Sequence, residues 1–219
     1  MYVNDFWHKR GKMTPYKHSE ISVKKRGGKI KDYYPIHSFL DSTKEICSDN
    51  RHRILHTLWG VRRVVIPIFG EAIKNSSGDL VNVKDICEQD HILPDFSNKF
   101  IPTLHDFVRL IKVDKEILDA LEKVLTASNL KENTDLQHLL LSPFFLTGEL
   151  KSLIITHNSW FLYEVLPQII ETTPKRIEPV ISPEQIFLKM EYKSWLNNGE
   201  TYPVSAKKIE EISIKGLFD

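Results

Sequence analysis

Two pairs of polar side chains, each pair four residues apart, lie within one short stretch of this sequence. His37 and Asp41 form the first pair, and His52 and His56 form the second. Residues i and i+4 of a helix lie on the same face, so each pair would direct two polar groups to one side. A turn at residues 48–50 would join two such helices, which would let both pairs converge on a single site.

These residue types are typical of a site for a divalent transition metal, because zinc, iron and manganese all bind imidazole and carboxylate groups in proteins. The candidate ligands are His37, Asp41, His52, His56 and His91. A bound metal would make hydroxide available near neutral pH, and Glu88 would move the proton. Lys44 and Arg53 would hold an anionic group such as phosphate. The pattern therefore predicts a metal-dependent hydrolase that acts on a small phosphorylated or nucleotide-like substrate.

A non-catalytic interpretation of the same residues stays open. Nine histidines in 219 residues produce some i, i+4 pairs by chance, and a buried His or Asp is often only a hydrogen-bonded packing residue. The sequence has no HExxH motif, no glycine-rich phosphate loop after a strand and no nucleophile elbow. Cys87, four residues before His91, is more typical of a buried structural cysteine than of a nucleophile. The alternative is a phage- or defence-related interaction protein with a structural His/Asp network, whose C-terminal helices bind a protein partner or form a homodimer.

The charge of the chain argues against a dedicated nucleic-acid-binding protein. Thirty basic residues face 29 acidic ones, whereas a nucleic-acid-binding domain is usually clearly basic. The basic residues concentrate between positions 9 and 31, which suggests RNA binding as a third hypothesis, although a solvated helix explains the same pattern. Two cysteines suggest reduced thiols in a cytoplasmic protein, and no segment has the apolar length of a membrane span.

The periodicity of apolar residues predicts a mostly α-helical fold in two parts. Thr14 and Pro15 begin a helix that Gly27 ends, so the first helix covers 15–26. A second helix is expected at 32–47 and a third from about residue 49 to 68. Alternating residues at 72–83 predict a small β-hairpin. The predicted domains are 1–112, which carries the motifs and the hairpin, and 113–219, which is helical and ends with a helix at 206–212.

Several stretches also resemble an uncharacterised family of short bacterial and phage proteins, a domain of unknown function. They are GGK at 27–29, DYYPIHSFLDSTK at 32–44, RHRILH at 51–56 and EQDH at 88–91. The resemblance covers about residues 15–110 and implies no activity. It marks as positions of interest His18, His37, Asp41, His52, His56 and Glu88. The family motif ends in EQH, whereas Asp90 separates Gln89 from His91 here, so Asp90 and His91 are both candidates for the last position.

Overall fold

A computed structural model of the chain describes residues 13–47, 50–128, 134–170 and 177–190. Within these ranges the protein is mostly helical, with a two-stranded antiparallel hairpin. This confirms the predicted fold class. The expected helix at 206–212 and the basic residues at 9–12 lie outside the described ranges. No helix in the described part of the chain is long and apolar enough to cross a membrane.

The longer helices are α1 (Pro15–Arg26), α2 (Ile30–Leu40), α3 (Leu58–Gly60, Val61–Val65 and Ile66–Phe69), α4 (Val83–Asp85, Ile86–Ile92 and Leu93–Asp95), α5 (Leu104–Val108), α6 (Lys115–Ala127), α7 (Asp135–Thr147), α8 (Phe161–Val165 and Leu166–Ile169) and α9 (Pro183–Leu188). The middle part of α3, the middle part of α4 and the first part of α8 are π-helical. Short 3₁₀ helices cover Ser42–Glu45, Asn50–Leu55 and Leu150–Ile155. The hairpin pairs β1 (Ala72–Lys74) with β2 (Leu80–Asn82), and Ile73 lies opposite Val81.

Helix α1 has the bounds that the sequence predicts. The Thr14 side chain accepts a hydrogen bond from the backbone N–H of Lys17 (3.3 Å), which caps the first turn. Gly27 ends the helix with φ of 73°, a conformation that glycine adopts without steric cost. The chain can therefore reverse immediately, and α2 packs beside α1.

The second and third predicted helices are both interrupted in the structure. Helix α2 ends at Leu40, and Asp41 begins a separate 3₁₀ turn, so the helix predicted at 32–47 is too long. The segment predicted as the start of a third helix is a 3₁₀ turn with a non-helical backbone at Arg53. Thr57 then caps α3 by accepting a hydrogen bond from the N–H of Gly60 (3.1 Å). Each break changes the direction of the chain near a predicted ligand.

Gly60 permits the close contact that places His56. A Cβ atom added at Gly60 would lie only 2.4 Å from the carbonyl oxygen of Leu55. Only glycine therefore lets the first turn of α3 lie against the segment that precedes it. This contact holds residues 55–57 at the base of α3.

The buried apolar side chains form one core cluster that runs from Tyr33 to Met190. It includes residues on both sides of the predicted domain boundary at 112. Hydrogen bonds also cross this boundary: Trp59 Nε1 donates to Ser142 Oγ (2.8 Å), and an Arg51 guanidinium N–H donates to the carbonyl of Phe187 (2.8 Å). The division into two domains stays a prediction, and the two parts share a core.

Candidate metal centre

Four side chains that can bind a metal converge where α2, the Asn50–Leu55 turn and α4 meet. They are Asp41, His56, His91 and Asp95, and one ligand atom of each lies within 4.8 Å of the others. Asp41 follows the last residue of α2, and His56 follows the 3₁₀ turn. His91 and Asp95 both come from α4, four residues apart. Three separate elements therefore contribute to one cluster.

The distances between these ligand atoms suit a single metal ion. His56 Nε2 and His91 Nε2 are 3.0 Å apart. Each lies 3.5 Å from Asp41 Oδ1, and His56 Nε2 lies 3.3 Å from Asp95 Oδ2. Four ligands at the usual zinc distances of about 2.0–2.1 Å in a tetrahedron are separated by roughly 3.3–3.4 Å. These four distances are therefore close to those between the ligands of one tetrahedral metal ion, and all four ligand atoms lie within 4.8 Å of one another.

The two oxygens of the buried Asp41 carboxylate have different surroundings. The residue is 5% exposed. Its Oδ2 forms an ion pair with Lys44 Nζ at 2.5 Å, whereas Oδ1 has no hydrogen-bond partner of acceptable geometry among the described residues. A buried carboxylate oxygen without a hydrogen bond costs free energy unless a cation occupies its open side. The open side of Asp41 Oδ1 faces the two imidazole nitrogens.

The charge states of the cluster also suit a metal. Burial alone would raise the pKa of Asp41, but the adjacent His56 and His91 outweigh burial and hold the pKa well below its usual range. Burial opposes ionisation of Asp95 in the same way, and His18, His56 and Arg53 lower its pKa. Burial, together with the charge of His18, lowers the pKa of His91 to about 3. At neutral pH the site therefore contains two carboxylates and a neutral imidazole at His91, which are the forms that bind metals.

We expect the metal-free protein to lose stability between pH 7 and pH 5. Burial lowers the pKa of His37 to about 2 and that of His91 to about 3, from an unfolded value near 6.5. Below pH 6.5 the unfolded chain binds more protons than the folded protein, so the free energy of unfolding falls as the pH falls. Each imidazole contributes a loss of about 2 kcal/mol over this interval. Urea unfolding with a chelator at both pH values measures the loss.

The control for this experiment is His91→Gln, which removes one of the three buried imidazoles with a lowered pKa, those of His37, His91 and His157. We expect the loss of unfolding free energy between pH 7 and pH 5 to be about 2 kcal/mol smaller in this variant. A free energy of unfolding that is equal at pH 7 and pH 5 in the unmodified protein would contradict the assignment of two neutral buried imidazoles.

The sequence comparison finds a family model that matches the N-terminal part of the chain. Residues 13–117 match the model of a family described as "Domain of unknown function (DUF6915)". The match supports the expected resemblance of this part of the chain to an uncharacterised domain family. We call residues 13–117 the DUF6915 segment, and all four members of the cluster lie within it. Comparisons with curated proteins and with solved structures found no match.

Of the predicted ligands, Asp41, His56 and His91 belong to the cluster in the DUF6915 segment. His52 lies at its edge, with Nε2 4.0 Å from Asp41 Oδ1. His37 lies outside the cluster, on the far side of the His91 ring, where its Nδ1 contacts Nδ1 of His91 (3.0 Å). Metal binding by His37 and His52 stays a prediction, and neither residue contributes one of the four converging ligand atoms.

The predicted catalytic residues lie in different places. Lys44 pairs with Asp41, and Arg53 lies 3.8 Å from Asp95 Oδ2 with its guanidinium above the ring of Phe96. Both predicted cations therefore border the cluster. Glu88 pairs with Lys84 (2.8 Å) and is not among the converging ligands.

Asp95 is a member of the cluster, and His18 lies beside it. Asp95 is not among the predicted ligands, although its spacing of four from His91 is the same signal that selects His37 and Asp41. His18 Nε2 lies 3.3 Å from Asp95 Oδ1, and its ring stacks on His91 at 3.8 Å. His18 is fully buried and therefore supports both α4 members of the cluster.

Asp90 has a different environment from His91. Its carboxylate forms ion pairs with Lys25 Nζ (3.0 Å) and Arg26 Nε (2.6 Å) of α1. Of the two candidates for the last motif position, His91 belongs to the cluster and Asp90 does not. Two of the basic residues in the 9–31 segment are thus bound within the protein, and RNA binding by this segment stays a prediction.

Proposed function

We propose that the DUF6915 segment binds one divalent transition metal, zinc, iron or manganese, and that the protein is a hydrolase for a phosphorylated or nucleotide-like substrate. The observation that carries the metal site is the convergence of Asp41, His56, His91 and Asp95, with an unpartnered buried oxygen of Asp41 at its centre. The metal, when bound, would supply Lewis acidity and a water of lowered pKa.

The donor set supports a catalytic role. Structural zinc sites are mostly built with cysteine thiolates, whereas catalytic sites use histidine and carboxylate ligands. Both cysteines, Cys47 and Cys87, are buried outside the cluster. Burial raises the pKa of Cys87, so its thiol stays protonated and unsuited to metal binding.

The charge balance supports an anionic substrate. In the metal-free cluster, Lys44 offsets Asp41 and Arg53 offsets Asp95. A divalent cation between the two carboxylates would neutralise both of them. Lys44 and Arg53 would then lack counter-charges, which is costly above all for Arg53, because its side chain is only 15% exposed whereas that of Lys44 is 33% exposed. A phosphate group would restore the balance and would explain why two cations border the ligands.

We expect Lys44→Met to lower kcat/KM for a phosphorylated substrate by roughly 10- to 100-fold, because a hydrogen bond to a charged group contributes about 1.5–3 kcal/mol. The assay is a screen of phosphoesters and nucleotides with protein loaded with zinc, manganese or iron. The control is Lys74→Met, which changes a lysine that is exposed on β1. Equal kcat/KM for the two variants would contradict the role of Lys44.

A second candidate function is supported by the burial of the ligands. His56 and His91 are fully buried. None of the four residues lines the cavity on α6 between Asp119 and Ala127 or the cavity that Arg62 and Arg63 of α3 form with Asp135 of α7. A metal in such a closed site would hold α2, the 50–55 turn and α4 together without catalysis. The protein would then be a binding protein, consistent with a phage- or defence-related role, and its C-terminal helices would contact a partner or a second copy.

The two candidates differ in whether the metal has an open coordination position. We expect a catalytic site to bind inorganic phosphate when cobalt replaces the native metal, with a change in the visible absorption of cobalt. A cobalt spectrum that millimolar phosphate leaves unchanged, together with no hydrolysis in the substrate screen, would support the closed structural site.

A further inference from the structure

A chain of buried hydrogen bonds leads from His91 to the ion pairs of α1. His91 Nδ1 contacts His37 Nδ1 (3.0 Å), and His37 Nε2 contacts Ser22 Oγ (2.9 Å). Ser22 Oγ donates to Asp90 Oδ2 (3.0 Å). His91, His37, Ser22 and Asp90 are all fully buried, so water does not compete for these contacts.

The ion pairs of Asp90 determine which group donates and which accepts in each of these hydrogen bonds. Asp90 is held by Arg26 and Lys25 and accepts hydrogen bonds from both. Its ionised carboxylate can only accept, so the single hydroxyl proton of Ser22 points to Asp90. Ser22 Oγ must therefore accept from His37 Nε2, which carries a proton.

The same reasoning determines the donor in the hydrogen bond between His37 and His91, which leads to the cluster. Two N–H groups cannot face each other at 3.0 Å, so one proton lies between His37 Nδ1 and His91 Nδ1. His37 is fully buried, and a doubly protonated imidazole there would place a charge away from water, which is unfavourable. His37 Nδ1 therefore accepts, and His91 Nδ1 donates. His91 Nε2 is left with a lone pair that points to His56 and Asp41.

We propose that Ser22 and His37 are positioning residues that hold His91 in the Nδ1–H tautomer and present its Nε2 lone pair to the metal. The tautomer follows from the hydrogen bonds and the burial of His37, while its effect on metal affinity rests on the proposed metal site. Partners of this kind orient metal-binding histidines, and their loss typically weakens metal binding by about 10- to 100-fold.

The test combines nitrogen NMR with zinc titration of the full chain. Long-range proton–nitrogen spectra of metal-free, histidine-labelled protein at pH 7 report which nitrogen of each imidazole carries the proton, and His91→Gln assigns the signal. We expect His91 to be protonated at Nδ1. In Ser22→Ala, we expect part of the His91 population to become protonated at Nε2, with a zinc Kd that is about 10- to 100-fold higher.

Ser19→Ala is a matched control for Ser22→Ala. Ser19 is on the same helix and is equally buried. Its hydroxyl donates to the carbonyl of Pro15 and takes no part in the hydrogen bonds between His91 and Asp90. We expect it to keep the wild-type tautomer and zinc affinity. Protonation of His91 at Nε2 in the wild type would overturn the inference, and so would equal tautomers and zinc affinities for the two serine variants. Protonation at Nδ1 in a protein that binds no zinc would instead confirm the tautomer and overturn the metal site.

Discussion

Replacing both His56 and His91 by alanine is expected to abolish stoichiometric metal binding while the helical circular dichroism signal persists. The change removes two of the four converging ligands and leaves Asp41 and Asp95. Four-ligand zinc sites have binding free energies of about 10–16 kcal/mol, or roughly 3 kcal/mol per ligand if shared evenly. The double variant should therefore bind zinc about 10⁴-fold more weakly. Elemental analysis after reconstitution and desalting measures the retained metal.

The control for this experiment is His105→Ala, which removes an exposed histidine that pairs with Glu149 outside the cluster. It should retain the same metal content as the unmodified protein. Equal metal content in the double variant and in this control would show that the metal is bound elsewhere. No metal in the unmodified protein after reconstitution would contradict the metal centre itself.

A large effect on stability is expected when the metal is removed. A ligand that binds only the folded protein stabilises it by RT ln(1 + [L]/Kd), which is about 4 kcal/mol at a free concentration 1,000 times the Kd. For a chain of this length, 1 kcal/mol corresponds to roughly 2–4 °C in Tm. Adding zinc to chelator-treated protein should therefore raise Tm by about 8–16 °C.

Magnesium is the control ion for this measurement. It prefers oxygen ligands and keeps much of its hydration, so two imidazoles make a poor site for it. At the same concentration we expect a much smaller increase in Tm. Equal increases with zinc and magnesium, or an increase with zinc that persists in the His56→Ala/His91→Ala variant, would contradict binding at this cluster.

Local signals in the sequence account for much of the fold. Thr14, Pro15 and Gly27 predict the bounds of α1 because caps and breakers act through nearby backbone groups. The alternation at 72–83 predicts the hairpin for the same reason. The i, i+4 rule is equally local, and it identifies Asp41 and His56 as members of polar pairs. Applied once more, it would have identified Asp95 as the partner of His91.

The same rule does not determine which member of a pair enters the cluster. His52 and His56 are separated by a 3₁₀ turn with a break at Arg53, and their rings meet at 83° rather than side by side. His37 is one helical turn before Asp41, yet its ring contacts His91 from behind. The i, i+4 spacing indicates a shared face only where the helix is unbroken. It does not distinguish a side chain that enters the cluster from one that contacts a member of the cluster.

The sequence by itself determined the residue types, the mostly helical class, the first helix and the hairpin, because these depend on neighbours within a few positions. The tertiary structure alone decided that α4 lies against α1 and α2 and brings His91 and Asp95 to Asp41 and His56. It also decided the contacts of Ser22, which has no signal in the sequence. Its contacts to His37 and Asp90 span 15 and 68 residues, and only packing of the core sets contacts over such distances.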